Sequence, residues 1–258
     1  MEETTRFFDF AAEVGLTKHL GNVYATDKMA DLCQIKEGSY VLDVGCGSGA
    51  TAAYLARTRG CEVMGVDILP RMIDRARELA ARKGVSRLTE FKVADAQDLP
   101  FSDYQFDAVI TESVTAFPED KKQTISEYAR VLKRGGYLGL NESTWLKKPV
   151  PPEIKDWASR QIGAAVMPLT SDEWTTHLKE RRFSNLVVEI REVDVQEETK
   201  GILARYGFFG MTRILGRTLK LYLRNDNYRQ FVKGVNQSGI TPENLTEYFG
   251  YGVYVGRK

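Results

Sequence analysis

The chain has 258 residues, 43% hydrophobic and 28% charged, which excludes an intrinsically disordered chain or a collagen-like fibre and leaves room for one large domain or two small ones. Lys+Arg number 36 against 35 Asp+Glu, a formal net charge of +1. No global field therefore draws the molecule onto nucleic acid or an anionic membrane, and any such contact must come from a local patch. Three cysteines, Cys33, Cys46 and Cys61, odd in number and without metal-ligand spacing, predict free thiols in a reducing compartment, hence a cytoplasmic protein with no metal site.

The opening residues, MEETTRFFDFAAEVG, are acidic and lack both a basic flank and an unbroken apolar run, so no signal peptide is expected. No apolar run approaches the ~20 residues that cross a bilayer. Residues 13–32 read as one or two helices broken near Gly21. From 40 to 140, short β-branched runs alternate with longer stretches of helical period, the pattern of a parallel sheet covered by helices. Strands are expected at 40–45, 62–67, 89–94, 106–111 and 137–141, and helices at 50–59, 71–83 and about 119–133, the second stopped by Gly84 and the third by Gly135-Gly136. Prolines 149, 151 and 152 mark a change of architecture. A sixth strand is expected at 185–193 and a seventh at 251–257. The stretch 194–250 between them is too long for a hairpin loop and helical in part, and reads as a lid inserted over the sheet.

Asp43-Val44-Gly45-Cys46-Gly47-Ser48-Gly49 follows a predicted strand and opens a predicted helix. Glycines there let the backbone turn tightly and approach a ligand, and the helix N-terminus offers unpaired N–H groups, so a nucleotide-type ligand is expected. The same turn also occurs where only tight packing is needed. Gly45-x-Gly47-x-x-Ala50 satisfies the loose dinucleotide fingerprint, and Asp67, ending the second strand, suits the ribose hydroxyls of either kind of cofactor. Asp43 leans the other way. A carboxylate just before the loop repels a pyrophosphate but suits a ligand carrying an ammonium and a sulfonium, as S-adenosylmethionine does.

Four motifs in order carry a resemblance. VLDVGCGSG at 41–49, VMGVDILPRMIDRAR at 63–77, ADAQDLPFSDYQFDAVITESV at 94–114 and VLKRGGYLGLNE at 131–142 together resemble the class I S-adenosylmethionine-dependent methyltransferases over about residues 35–145. The character is similar to the small-molecule branch, which includes ubiquinone and menaquinone biosynthesis methyltransferases. The resemblance implies an α/β fold, a Rossmann-like, doubly wound, seven-stranded and mostly parallel sheet with its last strand antiparallel and with helical lid insertions. It implies a single domain over 1–258, with an N-terminal helical cover (1–34), a cofactor-binding core (35–145) and substrate-side insertions (146–184 and 194–250). It implies that Gly45, Cys46, Gly47 and Gly49 form the cofactor loop with the acidic Asp43, that Asp67 holds the ribose hydroxyls, that Ile68 and Met72 border the adenine, and that Asp95 and the Ala96 backbone meet its amino group. Strand four ends in Thr111-Glu112-Ser113-Val114, unlike the Asn-Pro-Pro-Tyr tetrad of amino-methylating DNA and protein enzymes, which counts against a nucleic-acid substrate.

Ligands in such sheets bind outside the carboxyl ends of the strands, which places Glu112, Ser113, Asn141 and Glu142 at the site. Glu112 is a candidate base, ammonium partner or cofactor ligand; Glu142 is equally readable as a surface carboxylate. His19 has the ordinary pKa for proton transfer near neutrality, set against a structural histidine, and Tyr24 is expected to cover the cofactor or to pack a helix. His177 gets no role. Arg213, Arg217, Lys220 and Arg224 recur at i, i+4, i+7 and i+11, one basic helical stripe that reads either as a surface for phosphates or a membrane, with the apolar side of the lid covering a hydrophobic acceptor, or as the solvated face of a lid helix that merely packs on the sheet. The expected function is methyl transfer from S-adenosylmethionine to a small, lipid-like or isoprenoid acceptor. A dinucleotide-dependent oxidoreductase and a non-catalytic cofactor-binding module are the alternatives.

Overall fold

The computed structural model describes residues 2–17, 19–162, 166–237 and 242–258. Five strands are mutually parallel: β1 (Tyr40–Val44), β2 (Glu62–Asp67), β3 (Thr89–Val93), β4 (Phe106–Glu112) and β5 (Leu132–Trp145). With the short β6 (Leu169–Thr170), then β7 (Ser184–Glu192) and β8 (Phe249–Arg257), they form an eight-stranded sheet in the order β3-β2-β1-β4-β5-β8-β7, β6 pairing with β5. β8 runs antiparallel between β5 and β7. The helices are α1 (Glu2–Val14), α2 (Asn22–Leu32), α3 (Ala50–Arg59), α4 (Pro70–Lys83), α5 (Lys121–Val131), α6 (Pro152–Ile162), α7 (Ser171–Glu180), α8 (Val195–Arg224), α9 (Asp226–Gln237) and α10 (Leu245–Tyr248).

Alternation along each strand splits the core into two layers. Val41, Val63, Phe91 and Ile110 pack with Met29 of α2, Leu55 of α3 and Ile73 of α4 on one face. Leu42, Met64, Val109 and Leu138 pack with Ile125 and Tyr128 of α5 and Trp174 of α7 on the other. Both faces being covered, the strands read as nearly continuous apolar runs. α4 buries Met72, Ile73, Ala76 and Ala80, starts with Pro70 in its first turn and ends at Gly84 in the left-handed region. Close approach of α2 depends on Gly139, where a Cβ would lie 2.5 Å from Met29 Cγ and 2.9 Å from Cys33 Sγ. A side chain there would push α2 off the sheet.

Several expectations are corrected. The seven expected strands form the continuous sheet, and residues 169–170 add a two-residue eighth beside Thr144 and Trp145. β5 extends well beyond 137–141: Ser143 to Trp145 pair with Tyr251 to Phe249, and the Gly135-Gly136 turn is tied to the chain's last residue by Gly135 N–H to the Lys258 carbonyl and Lys258 N–H to the Gly136 carbonyl. Gly21 does precede the second helix, but the first already ends at Val14, and residues 15–17 and 19–21 lie outside both. The lid region is chiefly α8, broken at Gly207 (φ 64°, ψ 177°) into two helical arms. Its outward face is also corrected. Ile214 is buried, whereas Leu215, Leu219 and Leu223 are exposed, so the leucine row points away from the protein. Arg213, Lys220 and Arg224 share that open side, while Arg217 is partly buried against Gly15 and Arg75.

Candidate active site

The parallel strands deliver their carboxyl ends to one edge of the sheet, with Asp43 in register with Gly65 and Ile110, and Glu112 with Asn141. The glycine loop turns from β1 into α3 there. Gly45 (φ 69°) and Gly49 (φ 75°) adopt the left-handed region, and a Cβ would meet Val114 at 2.3 Å or Ala76 at 2.7 Å respectively, so neither position admits a side chain. Asp67 binds this loop to the next: its Oδ2 accepts from the Gly47 N–H at 2.9 Å and its Oδ1 from the Leu69 N–H at 3.0 Å. Burial raises the Asp67 pKa against the opposing pull of these N–H groups. Beside it, Ile68 is exposed and presents an apolar surface, while Met72 is buried beneath. Asp95, half-buried beside Ala96, caps its own turn by accepting from the Gln97 N–H at 2.8 Å. Cys46 is buried, and burial pushes its thiol up, so it contributes backbone rather than chemistry.

Deeper in, acidic and polar groups converge. Glu112, its side chain almost fully buried, accepts from Thr26 Oγ1 at 2.7 Å and Thr51 Oγ1 at 2.5 Å and lies 3.4 Å from His19 Nε2. Asp43 is buried, accepts from the Ala52 N–H, and has its pKa pushed up to about 8, first by burial and then by the charge of Glu112. The cation that reaches this group is Arg205 of α8, 3.3 Å from Thr51 Oγ1, whose charge acts on both Asp43 and His19. Burial lowers the His19 pKa, so the ring is neutral near neutrality. Its Nδ1 faces the Leu20 carbonyl at 3.2 Å and Asn141 Nδ2 at 3.4 Å. The neighbouring Tyr206 latches α8 to the glycine loop: it accepts from the Thr17 N–H and donates to the Thr17 carbonyl, both at 2.7 Å, and Thr17 Oγ1 lies 3.1 Å from Ser48 Oγ.

The structure thus brings Asp43, the glycine loop, Asp67, Glu112, His19 and Asn141 together, with Ile68, Met72, Asp95 and Ala96 on the β2 and β3 side. Two expected residues stand elsewhere. Tyr24 is exposed and donates to Glu189 Oε1 of β7 at 2.6 Å, with Arg191 stacked 4.0 Å over its ring; a helix turns by 100° per residue, so Thr26, not Tyr24, faces the site. Glu142 is no surface carboxylate. Fully buried, it accepts from the Thr115 N–H at 2.7 Å, the Val114 N–H at 3.1 Å, the Ala116 N–H at 3.3 Å and Thr111 Oγ1 at 3.0 Å, fixing the loop after β4. Burial nevertheless raises its pKa. His177 lies on α7, 3.9 Å from Glu180 and away from the site. Thr51, in the first turn of the helix that follows the loop, was foreseeable from its position; Thr17, Thr26, Arg205 and Tyr206 carry no local signal.

A parallel sheet with a glycine turn after its first strand and carboxylates at the ends of the first, second and fourth defines a nucleotide-cofactor enzyme of the Rossmann-like class. Residues 42–140 match the family described as "Methyltransferase domain". The chain is 32% identical over 226 residues to an uncharacterized protein of Haemophilus influenzae, covering 86% of this chain and 89% of that one. It is 34% identical over 157 residues to the 27-O-demethylrifamycin SV methyltransferase of Amycolatopsis mediterranei (60% of this chain, 57% of that one) and 40% identical over 98 residues to the chloroplastic tocopherol O-methyltransferase of Arabidopsis thaliana (38% and 28%). The latter two therefore match over less than two thirds of their own length. In fold it is similar to an S-adenosylmethionine-dependent methyltransferase of Thiobacillus denitrificans in complex with S-adenosylhomocysteine, with TM-score 0.70, 19% identity, and 96% and 97% of the two chains covered. The chain belongs to the class I S-adenosylmethionine-dependent methyltransferases. It is an enzyme that uses S-adenosylmethionine to methylate a small molecule.

Proposed function

We propose that Asp67 holds the ribose of S-adenosylmethionine, that Ile68, Met72, Asp95 and Ala96 border its adenine, that the 45–49 loop carries its backbone contacts, and that Asp43 receives its ammonium group. One observation carries this assignment. Asp43 Oδ2, Ser113 Oγ, Asn141 Oδ1 and Arg205 Nε are buried without a hydrogen-bond partner and gather at the ends of β1, β4 and β5 or reach towards them. Buried polar atoms left unpaired cost about 1–3 kcal/mol each, so their concentration at one edge marks a surface built to receive polar ligand atoms. The carboxylates of Asp43, Asp67 and Glu112 suit a cationic ligand and would repel the pyrophosphate of a dinucleotide.

When bound, S-adenosylmethionine supplies an electrophilic methyl group on a sulfonium. Transfer to a hydroxyl acceptor would exchange the sulfur–methyl bond for an oxygen–methyl bond, leaving S-adenosylhomocysteine and the acceptor's proton for the residues of this chain to take up. Glu112 would take that proton, with His19, whose Nε2 lies 3.4 Å from the Glu112 carboxylate and whose Nδ1 lies 3.2 Å from the Leu20 carbonyl, beside it as the second group able to hold it. The acceptor is a lipid-like or isoprenoid molecule, a reading supported by the tocopherol methyltransferase among the relatives.

Calorimetric titration with S-adenosylhomocysteine tests the cofactor assignment: Asp67→Ala should weaken binding by about ten- to a hundredfold, the scale of a lost charge-assisted pair, and unchanged affinity overturns it. A methylation screen of lipid phenols and quinols against small water-soluble amines tests the acceptor class. Turnover confined to the amines overturns the lipid reading.

A further inference from the structure

The second arm of α8, residues 208–224, contains no Asp or Glu. At 100° per residue, Phe208, Leu215, Leu219 and Leu223 fall in one row, Arg213, Lys220 and Arg224 in an adjacent row, and Phe209 on the border between them. Both rows lie on the open side. Phe208 and Phe209 are 78% and 77% exposed, and Leu215, Leu219 and Leu223 remain 57–69% exposed. Exposed apolar residues scattered singly need no explanation, but five large ones along a single helical arm form a contiguous patch that does. The inner side of the arm is already engaged, through buried Ile214 and through Arg217 against Gly15 and Arg75.

The charge pattern selects the occupant. The apolar row stands on the crest of a convex helix rather than in a groove, and one flank carries three long cationic side chains unopposed by any carboxylate on that arm. This is the section of an interfacial helix: the apolar row enters the acyl boundary, and the Arg and Lys stems let their charges rise to the phosphates of anionic headgroups. The break at Gly207, where φ is 64°, starts the arm afresh and sets both phenylalanines at its leading corner. No described helix is long and apolar enough to cross a membrane, so the helix lies on the surface. We propose that α8 docks this enzyme on an anionic lipid bilayer through Phe208, Phe209 and the leucine row, with Arg213, Lys220 and Arg224 at headgroup depth. The inference goes beyond the acceptor assignment and does not depend on it.

Sedimentation with vesicles of phosphatidylcholine alone, and of phosphatidylcholine with phosphatidylserine, tests it on the full chain. Binding to the anionic vesicles is expected, with partitioning that falls as salt is raised. Replacing the three cations together (Arg213→Gln, Lys220→Gln, Arg224→Gln) should lower partitioning about a hundredfold, from roughly fivefold per charge near an anionic surface. Phe208→Ser with Leu215→Ser and Leu219→Ser should lower it at least as far, while both triple variants keep their affinity for S-adenosylhomocysteine and their melting temperature. Equal partitioning of wild type and variants overturns the proposal. So does failure to bind anionic vesicles, and so does a wild-type dimer in sedimentation velocity that the serine variant dissolves, which would assign the patch to a second copy of the chain.

Discussion

Asp43 binds stability and ligand affinity into opposite pH responses. Its pKa, ordinarily 3.8, is raised to about 8 by burial and by Glu112, so the folded protein holds a proton that the unfolded chain has lost. Between those two values the unfolded state binds fewer protons, and stability falls as pH rises through that window. A ligand ammonium needs the ionised carboxylate, so affinity for S-adenosylhomocysteine should rise as pH approaches about 8. Asp43→Asn separates the two effects: thermal melts at pH 8 without ligand should show a higher melting temperature than wild type, while calorimetry should show about tenfold weaker binding that no longer varies with pH. A variant that retained the wild-type pH profile would remove Asp43 from the ammonium site. At this scale the sequence was most legible where chemistry and backbone coincide, as at Gly45, Asp67 and Glu112. It was least legible where two residues of one helix compete for one direction, as Tyr24 and Thr26 do, because the turn of α2 is fixed by Met29 packing on Gly139 and not by either residue.

At the scale of elements, the proposed function makes α8 a competitor of what the site binds. Arg205 neutralises the carboxylates that the proposed function assigns to the cofactor's cationic end, and Tyr206 ties the helix to Thr17. Ligand entry then exchanges one cation for another. Arg205→Met, which keeps the apolar stem and removes the charge, should tighten S-adenosylhomocysteine binding by roughly three- to tenfold, as expected when a competing charged contact is removed; weaker binding would make Arg205 a ligand contact instead. Periodicity disclosed that this segment is helical and that Arg213, Lys220 and Arg224 share a side, but not that Arg217 turns inward. It could not disclose that the leucines face outward, since a helical period defines faces without saying which one meets the protein. For the same reason β5 was read too short: Glu142 to Trp145 carry no local sign of a strand, and only pairing with β8, more than a hundred residues later, extends it.

Across the whole molecule, the parallel core was legible because β-branched runs, helical stretches and glycine stops repeat in register, whereas strand order in the second half depends on contacts distant in sequence. β8 makes the largest of these contributions. It pairs on both edges, with β5 from Tyr137 to Trp145 and with β7 from Ser184 to Glu192, and Lys258 Nζ donates to the Leu132 carbonyl at 2.7 Å. Removing residues 249–258 opens a seam inside the sheet, not at its margin, and strips Val253, Tyr254 and Val255 from both core layers. Circular dichroism of that truncated chain should show no cooperative melt; a sharp transition near the wild-type temperature would mean that the five parallel strands suffice. The same strand order sets a schedule for biosynthesis. A growing chain can assemble β1 to β5 as they emerge, but β7 has no neighbour to pair with until β8 leaves the ribosome, so the latter half waits with its strand edges open and is the interval in which a chaperone has most to shield.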